Sequence, residues 1–231
     1  MGTLYLVSTP IGNLGDITYR GVEILRNIDL ILAEDTRRSS KLLKKYEISA
    51  PMLSYNDYHR TRRIPSTIET LISGMDVALI SDAGTPSVSD PGYRLVRECI
   101  AHGINVVSIP GASASLSALV TSGLPTDRFI FEGFLPKKKG RSKRLKTLFD
   151  EERSIIIFES PERLLRSLKD CYEHLGDRPV VICRELTKVH EEVWRGKLSE
   201  SVKEFSSRKA RGEVTIIVGK DSEKIHFDSG S

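Results

Sequence analysis

Two glycine-bearing loops hold the residues best suited to chemistry. In Ser81-Asp82-Ala83-Gly84-Thr85-Pro86, Gly84 permits a tight turn and close backbone approach. Pro86 fixes the chain that follows, and Asp82 and Thr85 offer polar contacts. In Pro110-Gly111-Ala112-Ser113-Ala114, small side chains let a flat base lie against the backbone at a helix N-terminus. Neither loop is a Walker A or GxGxxG phosphate cradle. Taken singly, each reads as an ordinary strand-to-helix turn. Their shared position on one sheet edge gives an adenosine-type cofactor equal standing with that reading.

The elements that must hold these loops alternate along the first half. Segments 3–8, 30–33, 76–80 and 105–109 read as strands, and 19–27, 39–46, 66–73, 93–102 and 112–122 as helices. This alternation predicts a largely parallel sheet covered by helices, with ligands at the carboxyl ends of the strands. Gly123-Leu124-Pro125 must end the last of these helices. The expected domains are therefore 1–122 and 123–219, followed by a polar tail, 220–231. In the second half, 129–133, 154–158, 180–183, 192–197 and 214–218 read as strands. Segments 144–151, 161–175 and 198–206 read as helices.

With 39% hydrophobic and 29% charged residues in 231, the chain is expected to build a core. Its longest apolar runs, such as Ile155-Ile156-Ile157-Phe158, fall far short of the roughly 20 residues of a membrane span. The start Met1-Gly2-Thr3-Leu4-Tyr5 has no basic region and no small-residue cleavage site, so no secretory leader is expected. Cys99, Cys171 and Cys183 lie far apart and are expected to be buried free thiols of a cytoplasmic protein. The net charge of +4 arises wholly in the second half. Residues 1–122 carry 12 basic and 12 acidic side chains, and 123–231 carry 23 and 19. Seven of those 23 fall between Lys137 and Lys146, so this half is the better candidate to meet a polyanion.

Longer motifs carry a resemblance. They begin with Thr9-Pro10-Ile11-Gly12-Asn13-Leu14-Gly15-Asp16, Ala33-Glu34-Asp35-Thr36-Arg37, the Ser81–Pro86 loop and Asp90-Pro91-Gly92-Tyr93. They continue with Ser122-Gly123-Leu124-Pro125, Glu132-Gly133-Phe134-Leu135-Pro136, Glu159-Ser160-Pro161, Arg184-Glu185-Leu186-Thr187-Lys188 and His190-Glu191-Glu192. In this order, over almost the whole chain, the sequence resembles the bacterial 16S ribosomal RNA (cytidine-2'-O)-methyltransferases of the tetrapyrrole-methylase-like superfamily. The resemblance implies transfer of a methyl group from S-adenosylmethionine to the ribose 2'-hydroxyl of a decoding-region cytidine. It implies the class III fold, two α/β domains with the cofactor in the cleft between them, and a homodimer acting on 16S rRNA within the small ribosomal subunit. Gly84-Thr85-Pro86 stands where tetrapyrrole methylases carry Gly-Asp-Pro, which favours the RNA-modifying branch. Ala112 stands where that branch usually has proline, a change its small side chain is expected to tolerate.

By motif, the resemblance assigns cofactor contacts to Ile11, Thr85, Val88, Ser113, Ala114, Phe158 and Glu213. Asp82 and Gly84 join them on local grounds. The proton acceptor is harder to name. Lys188 is expected to depress the hydroxyl pKa, and Glu185 to accept the proton or to orient Lys188; a plain ion pair holding the loop is the alternative. Asp35 is the rival base and Arg37 a phosphate contact, against a helix-capping role for Asp35 or Thr36. Lys137, Lys138, Lys139 and Arg141 are expected to grip RNA phosphates, which gives affinity without sequence choice. His59, beside Arg60, Arg62 and Arg63, reads as part of an RNA-facing loop or a solvated one. His190 has no partner at ligand spacing, so no metal is expected. Trp194 reads as core or dimer packing. Two rival functions stay open: a methylase of the same fold acting on a tetrapyrrole or a protein, and a non-catalytic RNA-binding assembly factor.

Overall fold

The computed structural model describes residues 1–56, 60–137, 140–220 and 227, without the side chains of Arg60 and Thr61. It divides into two compact units, Met1–Ser113 and Ala114–Ser231. In the first, β1 (Thr3–Val7), α1 (Tyr19–Asn27), β2 (Leu30–Ala33), α2 (Thr36–Lys45), β3 (Met52–Ser54) and α3 (Arg60–Ile72) follow in turn. Then come β4 (Val77–Ile80), α4 (Tyr93–Ala101) and β5 (Asn105–Ile109). The strands form one sheet in the order β3-β2-β4-β1-β5, with every pair parallel. All loops that follow a strand therefore leave from the same edge.

Alternation along the strands explains the two helical layers. Val77 and Leu79 of β4 join a core with Leu4, Leu32, Leu95 and Cys99. Ala78 and Ile80 face the other way, into a core with Val7, Ile31, Leu25 and Leu43. Strand β3 is absent from the sequence-based expectation; three residues are too few to show periodicity. Helix α3 is expected from Ser66, yet it starts at Arg60 and carries Pro65 inside it. Pro65 is the sixth residue of the helix and lacks the N–H that would bond four residues back, so in sequence it reads as a break and the start is placed after it.

The second unit opens with α5 (Ala114–Ser122), β6 (Phe129–Phe134), α6 (Arg141–Lys146), β7 (Ser154–Glu159) and α7 (Leu164–Leu175). It continues through β8 (Pro179–Arg184), β9 (Glu192–Lys197), α8 (Leu198–Ser207) and β10 (Val214–Val218). The sheet runs β6-β7-β10-β8-β9; only β6 and β7 pair in parallel. Ile155, Ile157, Val180, Ile182, Ile216 and Val218 face α7 and α8, burying Leu168, Cys171, Leu198 and Phe205. Trp194 packs edge-on against Phe205, 6.0 Å between ring centres, which favours its core reading.

The division falls at 113/114, upstream of the expected 122/123. Helix α5 packs on β10, β7 and β9, and Arg195 Nε donates to the Ser122 carbonyl at 3.1 Å. Gly123-Leu124-Pro125 ends a helix that already belongs to the second unit. All three cysteines are buried, and burial pushes their thiols up to about 11 at Cys99, 12 at Cys171 and 11 at Cys183. No helix among the described residues is long and apolar enough to cross a membrane.

Candidate active site

At the carboxyl edge of the first sheet, the loops after β1 and β4 are stitched together. The Thr9 amide donates to the Gly84 carbonyl and the Gly84 amide to the Thr9 carbonyl, each at 2.9 Å. Thr9 Oγ1 donates to the Ser81 carbonyl at 3.1 Å, and Ser8 Oγ to Thr85 Oγ1 at 3.2 Å. Thr85 Oγ1 in turn reaches the Ala112 carbonyl, at 3.4 Å, in the loop after β5. Three loops thus close one polar-edged surface, and glycines let them pack closely against one another. Gly84 sits at φ +85°, and a Cβ there would lie 3.3 Å from Ile11 Cγ2. A Cβ on Gly111 would lie 2.9 Å from the Ser8 Cβ.

Beside this surface lies a cavity of about 740 Å³ formed by the first unit alone. Glu34, Asp82 and Asp90 line it, with Tyr93 and the arginines Arg37 and Arg94. Asp82 accepts from the Asp35 amide at 2.9 Å and pairs with Arg38 at 3.2 Å. Asp35 caps α2 through the Arg37 amide and also grips the Arg37 guanidinium, at 2.7 Å. That hydrogen-bonded pair holds the Asp35 carboxyl down at about 2. Asp90 goes the other way. Burial, followed by the negative charge of Glu34, raises it to about 7; the Ser81 hydroxyl opposes the shift and Asp82 adds to it. Ser87 and Ser89, just before Asp90, hold φ of +70° and +63°, a conformation that non-glycine residues take only under constraint.

In the second unit, register brings a second charged group together. Val214 pairs with both Glu159 and Arg184, so the end of β8 and the start of β10 share one edge. Lys188 Nζ donates to Glu185 Oε1 at 2.8 Å and to Glu213 Oε2 at 3.0 Å. Glu185 Oε1 also accepts the Glu213 amide at 2.9 Å. Burial works against the charge on Lys188, and the two carboxylates more than offset it, raising its pKa. Burial also works against the Glu185 carboxylate, and the Lys188 ammonium and Glu213 amide more than offset that, lowering it. Lys188 is a fixed cation, and a carboxylate so held is a poor proton acceptor. Gly212 makes the arrangement possible, because a Cβ there would stand 2.1 Å from Glu185 Cδ.

Residues 3–201 match the family model of the Tetrapyrrole (Corrin/Porphyrin) Methylases. The chain belongs to the tetrapyrrole methylase family. The methylase of Thermotoga maritima called "Ribosomal RNA small subunit methyltransferase I" is 53% identical over 218 residues, covering 94% of this chain and 98% of that protein. Proteins of the same name from Escherichia coli O157:H7 and Bacillus subtilis are 47% and 44% identical, covering 94% and 97% of this chain and 77% and 78% of theirs. Among solved methylase structures, a cobalt precorrin-4 methyltransferase of cobalamin biosynthesis superposes with a TM-score of 0.72 at 19% identity, covering 94% of both chains. The Thermus thermophilus uroporphyrin-III C-methyltransferase complexed with S-adenosylhomocysteine gives 0.66 at 19%, covering 94% of this chain and 97% of that one. As a tetrapyrrole methylase, the chain has the expected class III fold and uses S-adenosylmethionine.

The methylase fold unites some of the expected residues and separates others. Ile11, Gly84 and Thr85 meet on the stitched loops, Ile11 and Gly84 buried there and Thr85 partly exposed. Val88 is exposed and Ser113 half-buried in the first unit. Ala114 opens α5, and Phe158 of β7 stacks edge-on with Phe131 and Phe134 in the second. Asp82 departs from Gly84: its carboxylate is engaged toward the β2 loop and lines the cavity, which Gly84 does not. Glu213 is tied to Lys188.

Arg141 is corrected outright. Sequence places it among the phosphate-gripping cations, yet its side chain is 3% exposed, paired with Glu159 at 2.9 Å and Asp170 at 3.0 Å. Lys137, Lys143 and Lys146 are exposed, while Arg144 is bound to Glu132 at 2.6 Å. Lys138, Lys139 and His59 lie outside the described residues. Sequence reasoning missed Asp90 and Tyr93 as site residues, although their Asp-Pro-Gly-Tyr run is itself part of the resemblance.

Proposed function

We propose that the protein methylates small-subunit ribosomal RNA, placing the methyl group on the ribose 2'-hydroxyl of a cytidine. The observation that carries this reading is the likeness, 44–53% identical over nearly the whole chain, to relatives named for that RNA. Bound S-adenosylmethionine supplies an electrophilic methyl group on a positively charged sulfur. Ile11, Gly84, Thr85, Val88, Ser113, Ala114 and Phe158 are the residues proposed to hold it, with no metal required. Lys188 offers a fixed positive charge that favours a developing alkoxide. Glu185 and Glu213 hold that ammonium in place. Arg37, Lys137, Lys138 and Lys139 are proposed to meet RNA phosphates, and a homodimer in the cytoplasm is the proposed working form.

Mass spectrometry of small-subunit RNA from a strain lacking the gene is expected to show one ribose methyl group missing, restored by purified protein and S-adenosylmethionine. An unchanged methylation pattern would refute the reading. Sedimentation at micromolar concentration showing only a 25.8 kDa species would refute the dimer.

A further inference from the structure

Resting on the RNA reading above, we propose that the cavity of the first unit seats the acceptor nucleotide, with its base against Tyr93, its phosphates toward Arg37 and Arg94, and Asp90 taking the 2'-hydroxyl proton. The cavity, about 740 Å³, has room for a nucleotide, and its charges are sorted by depth. Two exposed arginines, Arg37 and Arg94, meet solvent, as phosphate recognition requires. Tyr93 is 65% exposed, an unburied ring that a splayed base would cover. Asp90 lies half-buried in the lining, beside the loop that carries Gly84. Ser81 lies between the two: its hydroxyl donates to the Gly84 carbonyl at 3.2 Å and stands near enough to the Asp90 carboxyl to favour its charged form.

The acids expected to serve as base are unsuited to it, since Arg37 and Lys188 hold Asp35 and Glu185 ionised and low. Asp90 faces Glu34 from the β2 edge and Asp82 from its own loop, with Arg38 neutralising part of Asp82. Raised to about 7, it is half ionised at neutral pH and still basic enough to accept a proton. The O2'–H bond breaks and its proton goes to the Asp90 carboxylate. The freed pair forms the O–CH₃ bond, and the pair of the broken C–S bond stays on sulfur. Asp90 then releases the proton to water.

The test is single-turnover methylation of small subunits from a strain lacking the gene, joined to RNA and S-adenosylmethionine affinities and melting temperature. Asp90→Asn, nearly isosteric, is expected to fold and to lose roughly 10²–10⁴-fold in rate. Its affinities are expected to stay within a few-fold of wild type. The wild-type rate is expected to rise with pH through about 7 and level off, and the residual Asn-variant rate to be flat. Tyr93→Ala and Arg94→Ala are expected to weaken RNA binding several-fold and leave S-adenosylmethionine affinity alone. A near-wild-type rate for Asp90→Asn overturns the base assignment while the RNA reading stands. Loss of S-adenosylmethionine affinity instead would return the cavity to the cofactor. RNA affinity unmoved in both Tyr93→Ala and Arg94→Ala overturns the pocket. A wild-type protein that methylates no subunit RNA, yet whose RNA affinity falls in these two variants, refutes the substrate reading and keeps the pocket.

Discussion

Thr9 and Gly84 exchange both of their backbone hydrogen bonds, at 2.9 Å each way, across two loops 75 residues apart in the chain. The exchange fixes the β4 loop against the β1 loop with Gly84 at φ +85°. Valine there would need a left-handed backbone that a β-branched side chain resists, and would press on Ile11. Gly84→Val is therefore expected to abolish S-adenosylmethionine binding in calorimetry. Unchanged affinity would remove this loop from the cofactor site.

Lys188 is held between Glu185 and Glu213, so its removal takes away a positioned positive charge. Lys188→Ala is expected to lower the single-turnover rate by roughly 10²-fold, the range for removal of one electrostatic group, with RNA affinity within a few-fold. Asp35→Asn is expected to leave the rate near normal, since asparagine also caps helices well. The reverse pattern would move the catalytic charge to the first unit.

Gly212 leaves room for the Glu185 carboxyl, with a would-be Cβ 2.1 Å from Cδ. Gly212→Ala should displace Glu185 and release Lys188. The expected result is a rate close to that of Lys188→Ala, with a modest drop in melting temperature because Gly212 holds φ +78°. A full rate would show that Lys188 acts without this support.

Arg141 and Glu159 form a pair whose side chains are 3% and 0% exposed, with Ser167 bonded to both. Arg141→Ala would leave buried Glu159 with Arg163 as its one remaining cation among the described residues. A loss of about 3 kcal/mol in urea unfolding is expected, as for other broken buried pairs. The salt dependence of RNA binding should not change.

Replacing Lys137, Lys143 and Lys146 by alanine is expected to do the converse. Each of these cations that meets a phosphate should, on removal, reduce the log–log salt slope by roughly 0.7–0.9, with stability unaltered. An unaltered slope would make this an ordinary solvated face.

The loops of the first unit are legible in sequence because each follows a short apolar run and carries its own glycine or proline. Parallel order follows from the strand–helix alternation, and parallel order alone puts those loops on one edge. The family is legible too, in motifs spread from Thr9 to Glu192. Three things needed tertiary structure. Arg141 looks like its neighbours Lys139 and Lys143 in sequence; only the packing of α6 on α7 brings it to Glu159 and Asp170. Gly123-Leu124-Pro125 marks where α5 ends, not which sheet the helix covers. Asp90 carries no local sign of a raised pKa. Its shift comes from burial and from Glu34, 56 residues away, brought beside it by the neighbouring strands β2 and β4. Local order is written in spacing and residue type. Burial and long-range charge exist only once distant segments share a site.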